Sequence, residues 1–184
     1  MALPAAAETI AFWREAGPAS WFAKDDAFDA EIAARFKSAH HAAARGELAD
    51  WQASAEGALA LLILLDQFPR NLWRGSAHAF ATDPLARRIA RAAVKAGHDL
   101  ATDPALRVFF YLPFEHSEDL ADQDLCLAKC QALDGESGSE WSKWAAMHRD
   151  IVLRFGRFPH RNACLGREST AEELAYLAEG GFAG

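Results

Sequence analysis

Helical periodicity is the feature that most constrains the fold of this chain. After Asp26, apolar side chains recur at steps of three and four residues, a spacing that places them on one face of an α-helix. They are Phe28, Ile32, Phe36, Ala39 and Ala43. No segment shows the sustained alternation of β-branched and aromatic residues with polar ones that is typical of strands. The sequence therefore predicts an all-α fold.

The next helix is predicted from its boundaries. Ser54 can accept a backbone N–H bond and so begin a helix that contains the apolar run Ala58–Leu65. Because this run is apolar on all sides, we expect it to lie at the centre of the core. Proline disfavours helical geometry at the residue before it, so Pro69 is expected to end the helix at Phe68.

Three further helix starts follow from capping signals. Asp83-Pro84 and Asp103-Pro104 each join a capping carboxylate to a proline at the first helical position. Ser117 is predicted to open a helix that runs to about Leu133, since serine is a common N-cap. The polar segment 134–139 is then expected to be a loop.

Two amphipathic helices complete the predicted fold. The apolar stripe of the first comprises Trp141, Trp144, His148, Val152 and Phe155. Thr170 and Glu173 form a capping box that starts the second. In all, the signals predict an antiparallel array of about eight to ten helices. Because no change in composition marks a boundary, residues 1–184 are expected to form a single domain.

Composition narrows the class of protein. Hydrophobic residues make up 51% of the chain, which favours a packed core over disorder. The net charge of −7 opposes binding to nucleic acid or to an anionic membrane. Residues 1–10 show no export signal, and no apolar run approaches the length of a membrane span. Three cysteines without CxxC spacing favour free thiols, so we expect a cytoplasmic protein.

Candidate binding residues are concentrated in the three polar segments 66–75, 113–119 and 155–167. Each segment is expected at a helix end, where a proline fixes the direction of the chain. Arginine donors suit a carboxylate or phosphate, so the predicted partner is an anionic small molecule or a peptide carboxylate. The predicted ligand-binding residues are Arg70, Asn71, Arg74, Glu115, His116, Glu118, His148, Arg157, His160, Arg161 and Asn162.

Two other interpretations of these residues remain open. In the first, the protein is a small hydrolase or lyase in which His116 or His148 transfers protons with Glu115 or Glu118. In the second, the same charges form a structural network of ion pairs, or the arginines bond to free carbonyls at helix ends. The sequence leaves it uncertain whether the protein is an enzyme.

Neither a metal nor a cofactor is expected. The chain has no HExxH, HxxxH or CxxC spacing for a metal, and no glycine-rich loop for a nucleotide phosphate. Cys126 and Cys130 lie four residues apart on one predicted helix face, where they are expected to behave as small apolar residues. Oligomeric state is not indicated by the sequence.

A short motif occurs twice in the polar segments. Phe68-Pro69-Arg70-Asn71 recurs as Phe158-Pro159-His160-Arg161-Asn162, with one inserted residue. Internal duplication is one interpretation, although it depends on only four matched residues.

The longest motifs also resemble a known family. LLDQFPRN at Leu64–Asn71, LPFEHSED at Leu112–Asp119 and RFGRFPHRN at Arg154–Asn162 resemble a bacterial family known as domain of unknown function 924. Shorter matches extend the resemblance over nearly the whole chain, from Trp21-Phe22 to LGRESTAEEL at Leu165–Leu174. The resemblance implies a fold similar to a right-handed, tetratricopeptide-like superhelix, although a compact bundle is also possible. It implies no activity; superhelices of this kind usually bind a partner.

Overall fold

The computed structural model of the chain describes residues 3–183, and all the regular structure in this range is helical. The predicted all-α class is therefore confirmed. The single-domain prediction also covers Met1, Ala2 and Gly184, and the export-signal prediction covers the first two. These three residues lie outside the described part of the chain. The chain divides into two compact units, residues 1–74 with 78–113 and residues 75–77 with 114–184. We call them unit 1 and unit 2 and describe each by itself.

Unit 1 contains seven α-helices. They are α1 (Ala6–Ala16), α2 (Pro18–Trp21), α3 (Asp26–Ala44), α4 (Ala55–Leu62), α5 (Phe68–Leu72), α6 (Asp83–Lys95) and α7 (Pro104–Arg107). Short 3-10 helices lie at Ala49–Ala53, Ala77–Phe80 and Val108–Phe110, and α8 (Leu112–Glu115) spans the boundary between the units. A π-helical segment, Ile63–Gln67, joins α4 to α5. Counting α4 to α5 as one continuous helix, the described residues form ten α-helices, within the predicted number.

Aromatic side chains form the core of unit 1. Phe68 packs against Trp13 and Phe36, with ring centroids 5.5 and 5.0 Å apart. Trp13 also makes an edge contact with Phe109, and its carbonyl accepts a hydrogen bond from the indole of Trp21. Rings of this size bury a large apolar area, so they account for much of the stability of the unit. Ala58–Leu65 is fully buried, as predicted.

The π segment corrects the prediction that Pro69 ends a helix at Phe68. Proline has no N–H, and its ring clashes with the carbonyl four residues earlier, here that of Leu65. The wider π turn moves this carbonyl away from the ring, so the helix continues through the proline. The side chains of His40 and Thr82 then donate hydrogen bonds to Leu64 O at 2.8 Å and Leu65 O at 2.6 Å.

Unit 2 is built on two long helices, α9 (Leu120–Ser137) and α10 (Trp141–Phe155), followed by the 3-10 helix Pro159–Arg161 and by α11 (Ala171–Ala178). Contacts from Asp124 to Arg149 and from Asp134 to Ser142 show that α9 and α10 are antiparallel. Asp134 accepts hydrogen bonds from the first backbone amides of α10 and so holds its start. The predicted loop 134–139 is mostly wrong, because α9 continues to Ser137 and ends at the left-handed Gly138.

The capping predictions are confirmed at three helices and wrong at two. Ser54, Asp103 and the Thr170–Glu173 box cap α4, α7 and α11 as expected. Asp83 does not cap α6, because its carboxylate is bound by Arg70 instead. Asp119, rather than Ser117, caps α9.

The predicted stripe of α10 is correct except at Trp144. His148 and Val152 are buried, whereas Trp144 is 55% exposed. Ala145 is buried instead of Trp144, so the apolar face of α10 differs from the predicted face by one residue. The three cysteines are free, and Cys126 and Cys130 are buried on one face of α9. In residues 3–183, no helix is long and apolar enough to span a membrane.

Candidate functional site

Arg70 is bound to carboxylate and carbonyl oxygens within unit 1. Its two terminal nitrogens each donate to one oxygen of Asp83 at 3.0 Å, and Nη1 also donates to the carbonyl of Asp66. A planar guanidinium matches this bidentate geometry better than an ammonium group does. Arg70 therefore ties the start of α6 to the π segment.

Asn71 and Arg74 converge on Asp29, which is in the first turn of α3. Asn71 Nδ2 donates to Asp29 Oδ1 at 2.8 Å, and Arg74 reaches both carboxylate oxygens through Nε and Nη2. Burial alone raises the pKa of Asp29, but the hydrogen bonds from Arg74 and Asn71 outweigh it and lower the pKa below its usual value. These two predicted binding residues therefore hold α3 against α5.

In unit 2, Arg157 forms a third bidentate pair, with Glu173. Nε and Nη2 of Arg157 lie 2.6 and 2.7 Å from the two carboxylate oxygens, and Asn162 Nδ2 and Thr170 N also donate to this carboxylate. The hydrogen bond from Arg157 is the largest cause of a lowered pKa of Glu173, to about 2. These contacts hold Arg157 and Asn162 against the start of α11.

Glu118 is held by a fourth bidentate pair, with Arg167. Two guanidinium nitrogens lie 2.7 and 2.9 Å from its oxygens, and the amide of Phe158 donates to Oε1 at 2.8 Å. Burial raises the pKa of Glu118, yet Arg167 and the Phe158 amide together lower it below the usual value. Arg167 Nε also donates to Asn162 Oδ1 at 2.9 Å, so the pairs of Glu118 and Glu173 are connected.

Three of the remaining predicted residues contact the ring of Phe158. His148 and His160 lie with their ring centroids 5.6 and 5.7 Å from that of Phe158, and the guanidinium of Arg161 stacks on the same ring at 4.4 Å. Arg161 Nη1 also donates to the carbonyl of His116 at 2.9 Å. We call His116, His148, His160 and Arg161 the imidazole cluster.

Glu115 and Trp144 orient the ring of His148. Nδ1 lies 2.9 Å from the carbonyl of Trp144 and 3.5 Å from Glu115 Oε1, so both acceptors favour a proton on Nδ1. Nε2 is then the acceptor nitrogen of the neutral ring. Among the described residues, Nε2 has no hydrogen-bond partner.

Electrostatics keep His148 neutral. Burial lowers its pKa most, the hydrogen bond to Trp144 raises it, and the nearby His116, Arg161 and His160 lower it further, to about 3. At neutral pH, the contact with Glu115 is therefore a polar contact and not an ion pair. The same pattern shows that His116, His160 and Arg161 lie close enough to this ring to affect its charge.

The turn that carries Glu115 and His116 is fixed by a fully buried glutamine. Gln123 Nε2 donates to the carbonyls of Glu115 and Ser117, both at 2.6 Å. Cys126 lies 4.0 Å from Glu115 Oε2 and 3.8 Å from Cys130, and both contacts are buried. The hydrogen bond to Cys130 and burial raise the pKa of Cys126, so it remains a thiol rather than a nucleophilic thiolate.

A family model for bacterial proteins of unknown function, DUF924, matches residues 9–181. The chain belongs to the DUF924 family. It is also 55% identical to a protein of unknown function from Agrobacterium tumefaciens whose structure is solved, over 95% of this chain and 97% of that one, with a TM-score of 0.89. No curated protein matches the sequence significantly. The family predicted from the motifs is thus confirmed, and neither match names an activity.

The predicted binding residues of this DUF924 chain are therefore of two kinds. The first kind contributes to ion pairs and hydrogen bonds that join helices. It comprises Arg70, Asn71 and Arg74 in unit 1, and Glu118, Arg157 and Asn162 in unit 2. Glu115, His116, His148, His160 and Arg161 come together in unit 2. The prediction that all three polar segments share one pocket stays a prediction.

Two important residues of this DUF924 chain were missed by sequence reasoning. Asp29 looked like an ordinary acidic residue near a helix start, and its partners are 42 and 45 positions away. Phe182, whose ring centroid lies 4.6 Å from that of His148, is in no motif. Neither residue carries a local signal that could have revealed its role. In residues 3–183, no group of three or more His, Cys, Asp or Glu is arranged to hold a metal ion.

Proposed function

We propose that this protein binds an anionic small molecule, or the carboxylate of a peptide, at the imidazole cluster. The observation that carries the proposal is the packing of His148, His160 and Arg161 around one ring, that of Phe158. Imidazole and guanidinium groups are the side chains that most often bind carboxylate and phosphate. Their burial strengthens any charged hydrogen bond they make.

The orientation of His148 supports the same proposal. A bound acid can share its proton with Nε2, or protonate this nitrogen and pair with the resulting imidazolium. Either arrangement supplies the partner that Nε2 lacks among the described residues. Arg161 is 6% exposed, so an anion beside it would be shielded from competing water.

The bidentate arginines support a narrower site than the one the sequence suggested. Arg70, Arg74 and Arg157 each hold a carboxylate of the protein with two nitrogens. An incoming anion would have to displace that carboxylate, which would remain buried and charged. We therefore leave these three arginines out of the proposed site and assign them to the structural network.

Titration of the histidine resonances by NMR tests the proposal. Inorganic phosphate and acetate serve as probes, and saturable shifts are expected at His148 and His160. In Arg161→Gln, we expect affinity to fall about tenfold, since a charged hydrogen bond contributes about 1.5 kcal/mol. Arg154→Gln, at an exposed position in the same unit, is the matched control and should bind like the wild type. Absence of any saturable shift in the folded protein would refute the proposal.

A second candidate function is acid–base catalysis by His148. It is favoured by the two acceptors at Nδ1, which leave Nε2 as a proton acceptor in an oriented ring. With a pKa of about 3, this ring is a weak base until a bound anion raises the pKa. Turnover of small carboxylate or phosphate esters that is lost in His148→Gln and retained in the exposed control His41→Gln would support catalysis. Equal turnover in the two variants would exclude it.

A further inference from the structure

The C-terminal segment Gly180–Phe182, which we call the strap, folds back along α11. Gly180 has a left-handed backbone, with φ of 85°, and it turns the chain after the helix ends. The amide of Gly181 then donates to the carbonyl of Tyr176, and the amide of Phe182 donates to the hydroxyl of the same tyrosine, both at 2.9 Å. Tyr176 therefore fixes the path of the strap twice.

Gly181 is required by the close approach of the strap to Tyr176. A Cβ added at Gly181 would lie 2.5 Å from ring carbon Cζ of Tyr176 and 2.6 Å from its carbonyl oxygen. Contacts this short do not occur between real Cβ atoms and their neighbours. A side chain at this position would push the strap away from α11, whereas glycine lets it lie flat.

The strap places the ring of Phe182 on the imidazole cluster. The ring meets His148 at a centroid distance of 4.6 Å and His160 at 5.2 Å, in both cases edge to face. It also packs against the apolar group formed by Ile151, Val152 and Phe158. Phe182 thus covers the imidazoles on one side and contacts the core of unit 2 on the other.

The strap is held weakly compared with the helices. Among the described residues, its hydrogen bonds run only to α11, and Phe182 is only partly buried. Segments with few bonds and partial burial open at a free energy far below that of global unfolding. Two shallow clefts of about 330 and 440 Å³ lie nearby in unit 2, and no residue of the imidazole cluster lines either one. Movement of the strap would uncover the rings of His148 and His160 on the side that Phe182 contacts.

We propose that the strap is a lid and that its Phe182 ring occupies the place of the ligand's apolar group. The ligand is then a carboxylate joined directly to an aromatic or branched apolar group. This inference rests on the proposed function and names its substrate class. A ligand that displaces Phe182 must replace its contacts with Val152 and Phe158. An aryl or branched alkyl group does so while its carboxylate meets Arg161 and the imidazoles.

The first arm of the test uses no ligand. Diethyl pyrocarbonate modifies accessible neutral imidazoles, and mass spectrometry locates the modified residues. Phe182→Ala and Gly181→Ala are expected to increase the modification rate of His148 and His160 several-fold, because each variant uncovers the cluster. Leu174→Ala, which removes an exposed side chain from α11, is the control and should leave the rate unchanged. Wild-type rates in both strap variants would overturn the lid.

The second arm uses benzoate and acetate as probes. Closure of the lid reduces the apparent affinity by the fraction of open protein, so Phe182→Ala should bind benzoate about tenfold more tightly than the wild type. It should also prefer benzoate to acetate, since only benzoate fills the space of the lost ring. Equal affinity for the two acids in Phe182→Ala would overturn the substrate class.

The two arms separate failure of the lid from failure of the proposed function. Adding Arg161→Gln to Phe182→Ala should weaken benzoate binding. If the histidines are uncovered but benzoate binds equally well with and without Arg161, the lid stands and the proposed function is wrong. If the wild type binds benzoate through Arg161 while the Phe182 amide stays protected from hydrogen exchange, the function stands and the lid is wrong.

Discussion

The two Phe-Pro motifs of this chain have similar sequences and different structures. At Phe68-Pro69 the helix continues through the proline by means of the π segment Ile63–Gln67. At Phe158-Pro159 the preceding helix has already ended at the left-handed Gly156, and Phe158 is extended, as residues before proline prefer to be. The residues before each proline thus determine whether the chain remains helical.

The difference also separates the roles of the arginines that follow. Arg70, on a continuous helix, forms a bidentate pair with Asp83. Arg161, on a 3-10 turn, bonds to the carbonyl of His116 and stacks on Phe158. Because the two motifs differ in local structure, the structure gives no support to internal duplication. The pair with Asp83 gives the first motif a structural role, whereas a binding role for the second motif is our proposal.

The largest expected effect concerns the pH dependence of stability in unit 2. His148 has a folded-state pKa of about 3, below the value of about 6.5 in the unfolded chain. The unfolded state therefore binds more protons between these values, so the stabilisation is complete above about pH 6.5 and is lost as pH falls toward 3. The shift corresponds to about 5 kcal/mol in total.

Chemical denaturation across this pH range checks the prediction. The wild type should lose more of its unfolding free energy on acidification than His148→Gln, which cannot titrate. His40→Gln provides the comparison in unit 1, where burial also lowers the histidine pKa although the hydrogen bond to Leu64 partly opposes it. Parallel pH curves for the wild type and His148→Gln would contradict the burial of a neutral histidine.

The second prediction compares the two arginines directly. Arg70→Gln should destabilise the protein by about 2 to 3 kcal/mol, because it leaves a largely buried Asp83 without its bidentate partner. Arg161→Gln, which removes the hydrogen bond to the His116 carbonyl and the stacking on Phe158, should cost about 1 kcal/mol. Urea unfolding measures both. Equal losses would mean that the two motifs share one structural role.

Much of the fold, but little of the site, could be predicted from the sequence. Helical periodicity, Ser54 and the Thr170–Glu173 box depend on residues a few positions apart, so local patterns identify them. The π turn at Pro69 depends on His40 and Thr82, which satisfy its carbonyls from distant parts of the chain. No local pattern encodes those partners.

The same limit applies to the candidate site. The motifs indicated His116, His160 and Arg161, and helical periodicity indicated His148, but neither showed which arginines would already be bound by carboxylates. Asp29 and Asp83 decide that question, but Asp83 was predicted only to cap a helix and Asp29 was given no role. Long-range pairing is determined by the folded chain, so it cannot be read from the spacing of charges.

The third prediction tests the cause of the π turn. Thr82→Val should cost about 1 to 2 kcal/mol, since it removes the donor to the buried Leu65 carbonyl without changing shape much. In the Pro69→Ala background the new amide can donate to this carbonyl, so the cost of Thr82→Val should be smaller. A double-mutant cycle measures the coupling. Strict additivity would show that Pro69 and Thr82 act independently.

The smallest expected effect concerns the helix end before the second motif. Gly156 has φ of 68°, so Gly156→Ala should destabilise the protein by about 1 kcal/mol. Gly135 lies inside α9 with open space at its Cβ, so Gly135→Ala should stabilise by about 0.5 to 1 kcal/mol. Thermal unfolding of the two variants gives the sign. The same sign in both would refute a special role for Gly156.

The most direct measurement of the central claim is the pKa of His148, followed by NMR with and without saturating benzoate. Without ligand, the ring should stay neutral down to acid pH, with a pKa of about 3. A carboxylate bound in the imidazole cluster stabilises the imidazolium, so the pKa should rise by at least about one unit and binding should tighten as pH falls. An identical titration curve with benzoate bound to the folded protein would contradict an anion site at this cluster.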